Sequence, residues 1–137
     1  MRRQELDNWV KSGGDLPDNL TEDEESYLEG LGWTVERRWH ENGMKWSVFH
    51  WHQGKVHGKQ KAWWDNGQKS YEQCYLHGDL HGKHETWFED GQKACEFNYH
   101  YNKQHGAWKR WYQDGTPEEH EEYAYGVLLK DFLKQTS

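Results

Sequence analysis

Aromatic residues return at a fixed interval through the middle of the chain. Tryptophan recurs every 24 positions. Each of these tryptophans is followed by a glycine 4 positions later and by a second aromatic residue 12 positions later. The members are Trp39, Trp63, Trp87 and Trp111; Trp51, Tyr75, Tyr99 and Tyr123; and Gly43, Gly67, Gly91 and Gly115. Because the copies stay in phase without an insertion, the chain is predicted to contain four tandem repeats.

The segments between the turn residues have the length and composition of β-strands. They are rich in aromatic residues and show no competing period of 3.6 residues. The clearest are Lys59–Asp65, Lys69–Leu76, Lys83–Glu89 and Lys93–Tyr101. This pattern predicts an all-β repeat fold, an elongated antiparallel β-meander of about eight strands built from 24-residue hairpins.

Two kinds of turn are predicted to connect these strands. The first contains Asn-Gly or Asp-Gly in every copy, pairs that tolerate the positive φ required at both centres of a two-residue type I′ turn. The second runs over five residues, as in Gly54 to Gly58, and has a histidine before its last glycine. Asn102 replaces the first glycine in one copy, and asparagine accepts a left-handed backbone better than most residues.

Segments of different character flank the repeats. Residues 1–12 and 21–31 are predicted to be helical, and Thr21 with Glu24 has the spacing of a capping box. The predicted division is an acidic helical cap or arm at 1–32, repeats at 33–126 and a cap on the last strand edge at 127–137. The repeats are expected at about 35–58, 59–82, 83–106 and 107–126. Whether the acidic segment covers the first repeat or binds a basic partner is left open by the sequence.

The net charge of −7 is concentrated at the start of the chain, where residues 1–30 hold 9 acidic and 3 basic side chains. The nearly neutral repeats lack the basic stripe that phosphate binding requires, which disfavours nucleic acids as partners. The sequence contains no apolar run long enough to span a membrane and no secretory signal pattern, so stable membrane insertion is not expected. A cytoplasmic location is predicted.

Ten histidines lie between His40 and His120, which raises the question of a metal or acid–base site. His57, His81 and His105 recur in register, so they are interpreted as part of the turn chemistry; imidazoles on successive repeats cannot converge on one ion. His50 and His52 are the remaining candidate pair, although ring stacking explains them equally well. No nucleophile elbow, phosphate loop or HExxH motif is present. The prediction is a non-enzymatic protein without a metal or cofactor.

The repeat carries a recognisable motif. Trp-aromatic-x-(Asn/Asp)-Gly-Gln-Lys occurs at 63–69 and 87–93, and Tyr-x-x-Gly-x-x-x-Gly occurs at 75–82. Over about residues 36–126 the chain resembles the MORN-repeat variant of bacterial proteins, including antitoxin-like proteins of the YwqK type. The resemblance implies a role in binding, because other MORN repeats are credited with protein scaffolding and lipid contacts.

A second aromatic row follows the tryptophans by one position. Strand alternation places Trp63 and Trp64 on opposite faces, so one row is expected inside the sheet and the other outside. The second row is Trp64, Phe88 and Tyr112, with His40 at the same phase in the first copy. Exposed aromatic strips mark interaction surfaces, whereas the alternative is that both rows pack within a thin twisted sheet.

These observations predict a protein-interaction module. Its partner is expected to be a protein such as a toxin or effector, bound through the aromatic sheet face in the manner of an antitoxin or immunity protein. The alternative is a module that binds a lipid headgroup or a small ligand.

Overall fold

The computed structural model describes residues 3–12 and 20–134. Two helices, α1 (Arg3–Ser12) and α2 (Glu22–Gly30), precede a single antiparallel sheet. The strands are β1 (Trp33–Trp39), β2 (Lys45–His52), β3 (Lys55–Val56), β4 (Gly58–Trp63), β5 (Lys69–Leu76), β6 (Asp79–Trp87), β7 (Lys93–His100), β8 (Lys103–Gln104), β9 (Gly106–Trp111), β10 (Pro117–Ala124) and β11 (Val127–Asp131). The long strands pair in chain order, while β3 and β8 pair beside β2 and β7. The predicted meander with helices at its N-terminal end is confirmed.

The Asn/Asp-Gly turns differ from the predicted two-residue form. The amide of His40 donates to the carbonyl of Met44 at 2.8 Å, and the amide of Gly43 donates to the carbonyl of His40 at 2.9 Å. Gly43 has a φ of 86°, whereas Asn42 is outside the left-handed region. This is a three-residue loop closed by a glycine bulge, so the prediction of a type I′ turn here was wrong. The Asn42 side chain instead accepts the amide of Met44 at 3.0 Å.

The type I′ geometry lies at the other turn of each hairpin. Both central residues have a positive φ at Gln53-Gly54, His77-Gly78, Tyr101-Asn102 and Tyr125-Gly126. Asn102 has a φ of 69°, which confirms the conformational reason for asparagine at that position. The glycine after each recurring histidine belongs to the strand region instead of the turn. Gly82, for example, lies within β6 with a φ of 90°, so the predicted five-residue turn was too long.

The helices pack on the first strand of the sheet. Leu6 of α1, Leu28 of α2 and Trp33 of β1 form a buried cluster, with Leu20, Tyr27 and Val35 packed against it. Thr21 and Glu24 form the capping box expected from the sequence, through bonds of 3.2 and 3.0 Å between each side chain and the other residue's amide. Arg37 of β1 also forms an ion pair with Glu25 of α2. The acidic helix is therefore docked on the sheet in this structure.

The segment after the repeats forms the last strand. β11 pairs with β10, so it covers one strand edge and becomes the new edge itself. Its apolar residues Val127, Leu128 and Leu129 are exposed, as is Phe132 beyond it. The segment 13–19 between the two predicted helices and the end of the predicted C-terminal cap at 135–137 lie outside the described residues.

Candidate functional site

The second aromatic row lies along one edge of the sheet. His40, Trp64, Phe88 and Tyr112 each follow the last residue of a strand and open an Asn/Asp-Gly turn. We call these four residues the aromatic edge. Strand alternation ends at Trp63, the last residue of β4, and Trp63 and Trp64 consequently line the same cavity. Trp64 lies just beyond the strand, so the expectation that this row occupies a sheet face opposite the tryptophans stays a prediction.

Members of the aromatic edge contact the following repeat. His40 donates from Nε2 to the carbonyl of Trp63 at 2.8 Å, and Trp64 donates from Nε1 to the carbonyl of Trp87 at 3.1 Å. Asn42 makes a third bond of this kind, from Nδ2 to the carbonyl of Asp65 at 2.7 Å. These bonds fix the spacing of successive turns, so the rings are presented at regular intervals on a supported backbone.

Exposure varies along the aromatic edge. His40, Trp64 and Phe88 are half-buried, whereas the Tyr112 side chain is 53% exposed. At the other end, Trp39 and Trp46 are 58% and 46% exposed. Large rings are therefore accessible to solvent at both ends of this edge.

A cavity of about 340 Å³ opens between the first and second copies. Its lining residues are Trp39, His40, Glu41, Trp46, Trp63, Trp64 and Ser70. The lining thus contains four indole rings and one carboxylate, and two of its members, His40 and Trp64, belong to the aromatic edge. Its volume lies within the ~300–1,000 Å³ that is typical of small-ligand sites.

Cations already lie over several of the recurring tryptophans. Lys45 Nζ is 5.2 Å from the ring centroid of Trp63, and Lys69 Nζ is 5.5 Å from that of Trp87. Because Lys45 and Lys69 are separated by one repeat, the same contact is made twice in register. The indole faces on this side of the sheet are thus oriented for cation–π interactions.

A separate row of stacked rings crosses the strands. Phe97 stacks on Trp108 at 3.7 Å between centroids, and His84 stacks on Phe97 at 5.7 Å. Tyr71 meets His84 edge-on at 5.4 Å, and its burial raises the pKa of the phenol well above the ordinary value. His84 also donates from Nδ1 to Oε1 of the buried Gln73. These rings pack against one another across neighbouring strands of the sheet.

The pKa of His84 predicts an acid-sensitive stability. Burial lowers it below the ordinary value near 6.5, and the Glu85 carboxylate partly opposes that effect. At a pH below 6.5 the His84 side chain binds a proton more readily in the unfolded chain than in the folded protein. The free energy of unfolding should therefore fall as the pH drops from 6.5 toward the folded-state pKa.

Urea unfolding of the normal protein and of His84→Gln at about pH 7.5 and about pH 5.5 checks this expectation. The stability advantage of the normal protein over the variant should shrink at the lower pH. An advantage that stays constant or grows would contradict the assigned cause.

Carboxylates lie opposite one another on neighbouring strands. Glu72 pairs in register with Glu85, and Glu85 pairs with Glu96. Lys93 reaches both Glu85 at 2.6 Å and Glu96 at 3.4 Å. Burial alone would raise the pKa of Glu96, but Lys93 and Lys83 lower it overall. The repeated glutamates are thus neutralised by lysines of the repeats.

The comparison with family models identifies the repeats. A model described as "MORN repeat variant" matches residues 56–77, 80–101 and 104–125. The chain carries MORN-variant repeats. MORN repeats are generally modules for protein or lipid interactions, and the repeat itself is a non-enzymatic element. A search of curated proteins found no match.

The MORN-variant matches cover three repeats, and the first predicted copy at 35–58 lies almost entirely before them. That copy nevertheless forms the same hairpin, since β1 and β2 pair from Trp33 opposite His52 to Trp39 opposite Lys45. Its sequence departs from the others at Trp46, where the next two copies have Ser70 and Ala94. The first copy is therefore a MORN-like hairpin with a distinct surface.

Several residues of the cavity were not predicted from the MORN-like pattern. Trp39 was assigned to the inner row, and Trp46 and Glu41 were not singled out. The position of Trp46 alone carried a signal, because a bulky residue replaces the small residue found at that phase in the next two copies. Of the predicted pair, His50 is buried with Nδ1 3.0 Å from the Lys59 carbonyl, and His52 stacks on Trp33 at 4.6 Å.

The recurring histidines of the MORN-variant repeats hold the opposite edge of the sheet together. Nδ1 of His57 accepts the amide of His77 at 3.0 Å, and Nδ1 of His81 accepts the amide of Tyr101 at 3.3 Å. Nδ1 of His105 accepts the amide of Tyr125 at 3.1 Å. Each histidine thus contacts the type I′ turn of the next repeat. The predicted role of these histidines in turns is therefore a contact between neighbouring repeats.

The described residues also bear on a metal site and on a membrane-spanning helix. Within residues 3–12 and 20–134, no group of three or more His, Cys, Asp and Glu side chains is arranged to hold a metal ion. In the same residues, neither helix combines the length and apolar character needed to cross a membrane.

Proposed function

We propose that this MORN-variant protein is a non-enzymatic, cytoplasmic interaction module that captures a protein partner through its aromatic edge. In this proposal it neutralises a toxin or effector, as an antitoxin or immunity protein does. The interaction role follows from the general use of MORN repeats. The choice of a protein partner and of this edge is supported by the side chains that line it.

The observation that carries the proposal is the row of rings supported at one edge of the sheet. Tyr112, Trp39 and Trp46 are exposed, and Trp64 is held by its bond to the next repeat. Tryptophan and tyrosine in such positions offer a large contact area at a small loss of side-chain entropy, and they dominate the energetics of many protein interfaces. A preorganised row of this kind suits a protein surface.

Removing the rings should abolish capture of the partner. The variant Trp64→Ser/Phe88→Ser/Tyr112→Ser is compared with the normal protein in pull-downs from the native host. We expect a partner retained by the normal protein to be lost from the variant, because hot-spot rings contribute at least about 2 kcal/mol each. Circular dichroism of the variant should still report a β-sheet.

A second variant separates binding from folding, because Trp64 and Phe88 are half-buried. Trp39→Ser/Tyr112→Ser removes only exposed rings and should weaken capture without changing the melting temperature. Leu128→Ser/Leu129→Ser on β11 is the matched control and should retain the partner. Equal capture by all variants would contradict the proposal.

The antitoxin role is tested by coexpression with the captured partner. The normal protein should restore growth to cells that produce this partner. The triple variant should not restore their growth.

Lipid-headgroup or small-ligand binding is the second candidate, and the cavity beside Trp39 and Trp46 favours it. Cosedimentation with vesicles distinguishes the two candidates. A module that binds only a protein should remain in the supernatant with every lipid composition.

A further inference from the structure

We propose that the cavity between the first and second copies is a binding site for a quaternary ammonium group. The assignment goes beyond protein capture by the aromatic edge. It rests on the combination of rings, charge and volume found in this open cleft of the fold.

The walls of the cavity suit a cation that carries methyl groups. Four of its lining side chains, Trp39, Trp46, Trp63 and Trp64, are indoles, which give the strongest cation–π interaction of the aromatic side chains. The ring of His40 lies 5.7 Å from that of Trp46 at an interplanar angle of 31°, so the two rings are inclined to one another. A lining of this composition attracts positive charge while offering an apolar surface to methyl groups.

The polar groups of the cavity are few, which favours a quaternary ammonium over a primary one. A primary ammonium has three donors that lose their hydrogen bonds to water on entry, and burial of unpaired donors is costly. The lining offers Glu41, Ser70 and the imidazole of His40, whose Nε2 already donates to the Trp63 carbonyl. A quaternary ammonium has no donor to satisfy and therefore enters at a lower desolvation cost.

The charges around the cavity are compatible with a cationic ligand. Glu41 contributes a carboxylate at its exposed rim. Arg38 lies 5.9 Å from the Trp46 ring but forms an ion pair with Glu36 at 2.7 Å. Lys45 lines a separate neighbouring cavity with Met44, Trp63 and Gly67. Both cations lie outside the lining; Arg38 is neutralised by Glu36, whereas Lys45 Nζ lies 5.2 Å from the Trp63 ring centroid and opposes a cationic ligand at that ring.

The arrangement is particular to the first copy. The later repeats retain an aromatic residue at the phases of Trp39 and His40, but Ser70 and Ala94 replace Trp46 at its phase. The second and third copies therefore lack this indole, and the fourth has Glu118 at the same phase. A side chain that the repeat fold does not require is placed where it completes this cavity.

The test uses choline as the probe and the full chain as the protein. Titration calorimetry and tryptophan fluorescence should show saturable binding of choline. The uncharged isostere 3,3-dimethyl-1-butanol should bind at least about tenfold more weakly, because it keeps the shape and loses the cation–π attraction. Equal affinity for the two compounds would overturn the proposal, since the cavity would then be only an apolar site.

Substitutions assign the binding to this cavity. Trp46→Ser, which introduces the residue of the second copy, should weaken choline binding at least about tenfold. Glu41→Gln should weaken it several-fold, and added salt should reduce the difference between Glu41→Gln and the normal protein. Tyr125→Ser removes an exposed ring far along the sheet and should bind choline normally. Thermal unfolding confirms that each variant is folded; unchanged binding by folded Trp46→Ser would overturn the proposal.

Vesicles distinguish the two sources of this group. Binding of free choline assigns the site to a small solute, whereas cosedimentation with phosphatidylcholine and not with phosphatidylglycerol assigns it to a lipid headgroup. Absence of both interactions overturns the proposal. Glu41→Gln changes none of the rings assigned to protein capture, so loss of choline binding with unchanged partner capture in this variant shows that the two proposals can fail separately.

Discussion

Replacing Trp33 with alanine is expected to lower the free energy of unfolding by about 3–5 kcal/mol, as for other fully buried tryptophans. Trp33 is 2% exposed and joins both helices to the sheet through Leu6 and Leu28. Its ring also stacks on His52 at 4.6 Å and meets His57 edge-on at 5.4 Å. Its removal therefore leaves a cavity at the junction of three elements.

Urea unfolding measures this loss, and Trp39→Ala is the matched control. Trp39 ends the strand that Trp33 begins, but it is 58% exposed, so its replacement should cost less than about 1 kcal/mol. Similar losses in the two variants would show that the helices and the sheet do not share a core at Trp33.

The second large effect is expected at the edge held by histidines. Replacing His57, His81 and His105 together with leucine should lower the free energy of unfolding by on the order of 3 kcal/mol, because each change leaves a turn amide without its acceptor. The largest share is expected from His57, which is 4% exposed, since water cannot readily reach the amide it releases. Single variants should therefore rank with His57→Leu as the most destabilised.

Asparagine at the same three positions is the control. Its side-chain oxygen can occupy a place close to that of Nδ1 and accept the turn amide, although it loses the ring contacts with His77, Tyr101 and Tyr125. The asparagine variant should therefore be more stable than the leucine variant. If the order is reversed, apolar packing and not hydrogen bonding supports these turns.

The repeat architecture could be predicted because every copy places the same residue types at the same phase. Trp63, Gly67 and Tyr75 define a hairpin whose strand bounds, 58–63 and 69–76, are close to those expected. The type I′ turn was predicted at the wrong end of each hairpin because an Asn-Gly pair is compatible with two loop geometries. It can supply two left-handed residues, or, as observed, an asparagine that accepts the second amide beyond it and one left-handed glycine. Local sequence alone does not decide between these.

The candidate site was only partly predictable. The phase of Trp64 predicts which residues form the second row, but the place of this row at an edge depends on where β4 ends, which is one residue earlier than the aromatic run. The cavity requires Trp39 and Trp46 of one hairpin to meet Trp63 and Trp64 of the next. That meeting depends on twist and on contacts between copies, which periodicity does not specify. The role of the histidines likewise lies in a contact 20 residues along the chain.

In-phase side chains lock each repeat to the next, and hydrogen exchange measured by NMR reports on this coupling at individual amides. The amides of His77, Tyr101 and Tyr125 donate to histidine Nδ1 atoms of the preceding repeats. All three should exchange slowly in the normal protein, and His81→Leu should accelerate exchange at Tyr101 while leaving His77 and Tyr125 protected. Fast exchange at all three amides in the normal protein, or an unchanged rate at Tyr101 in the variant, would contradict the claim.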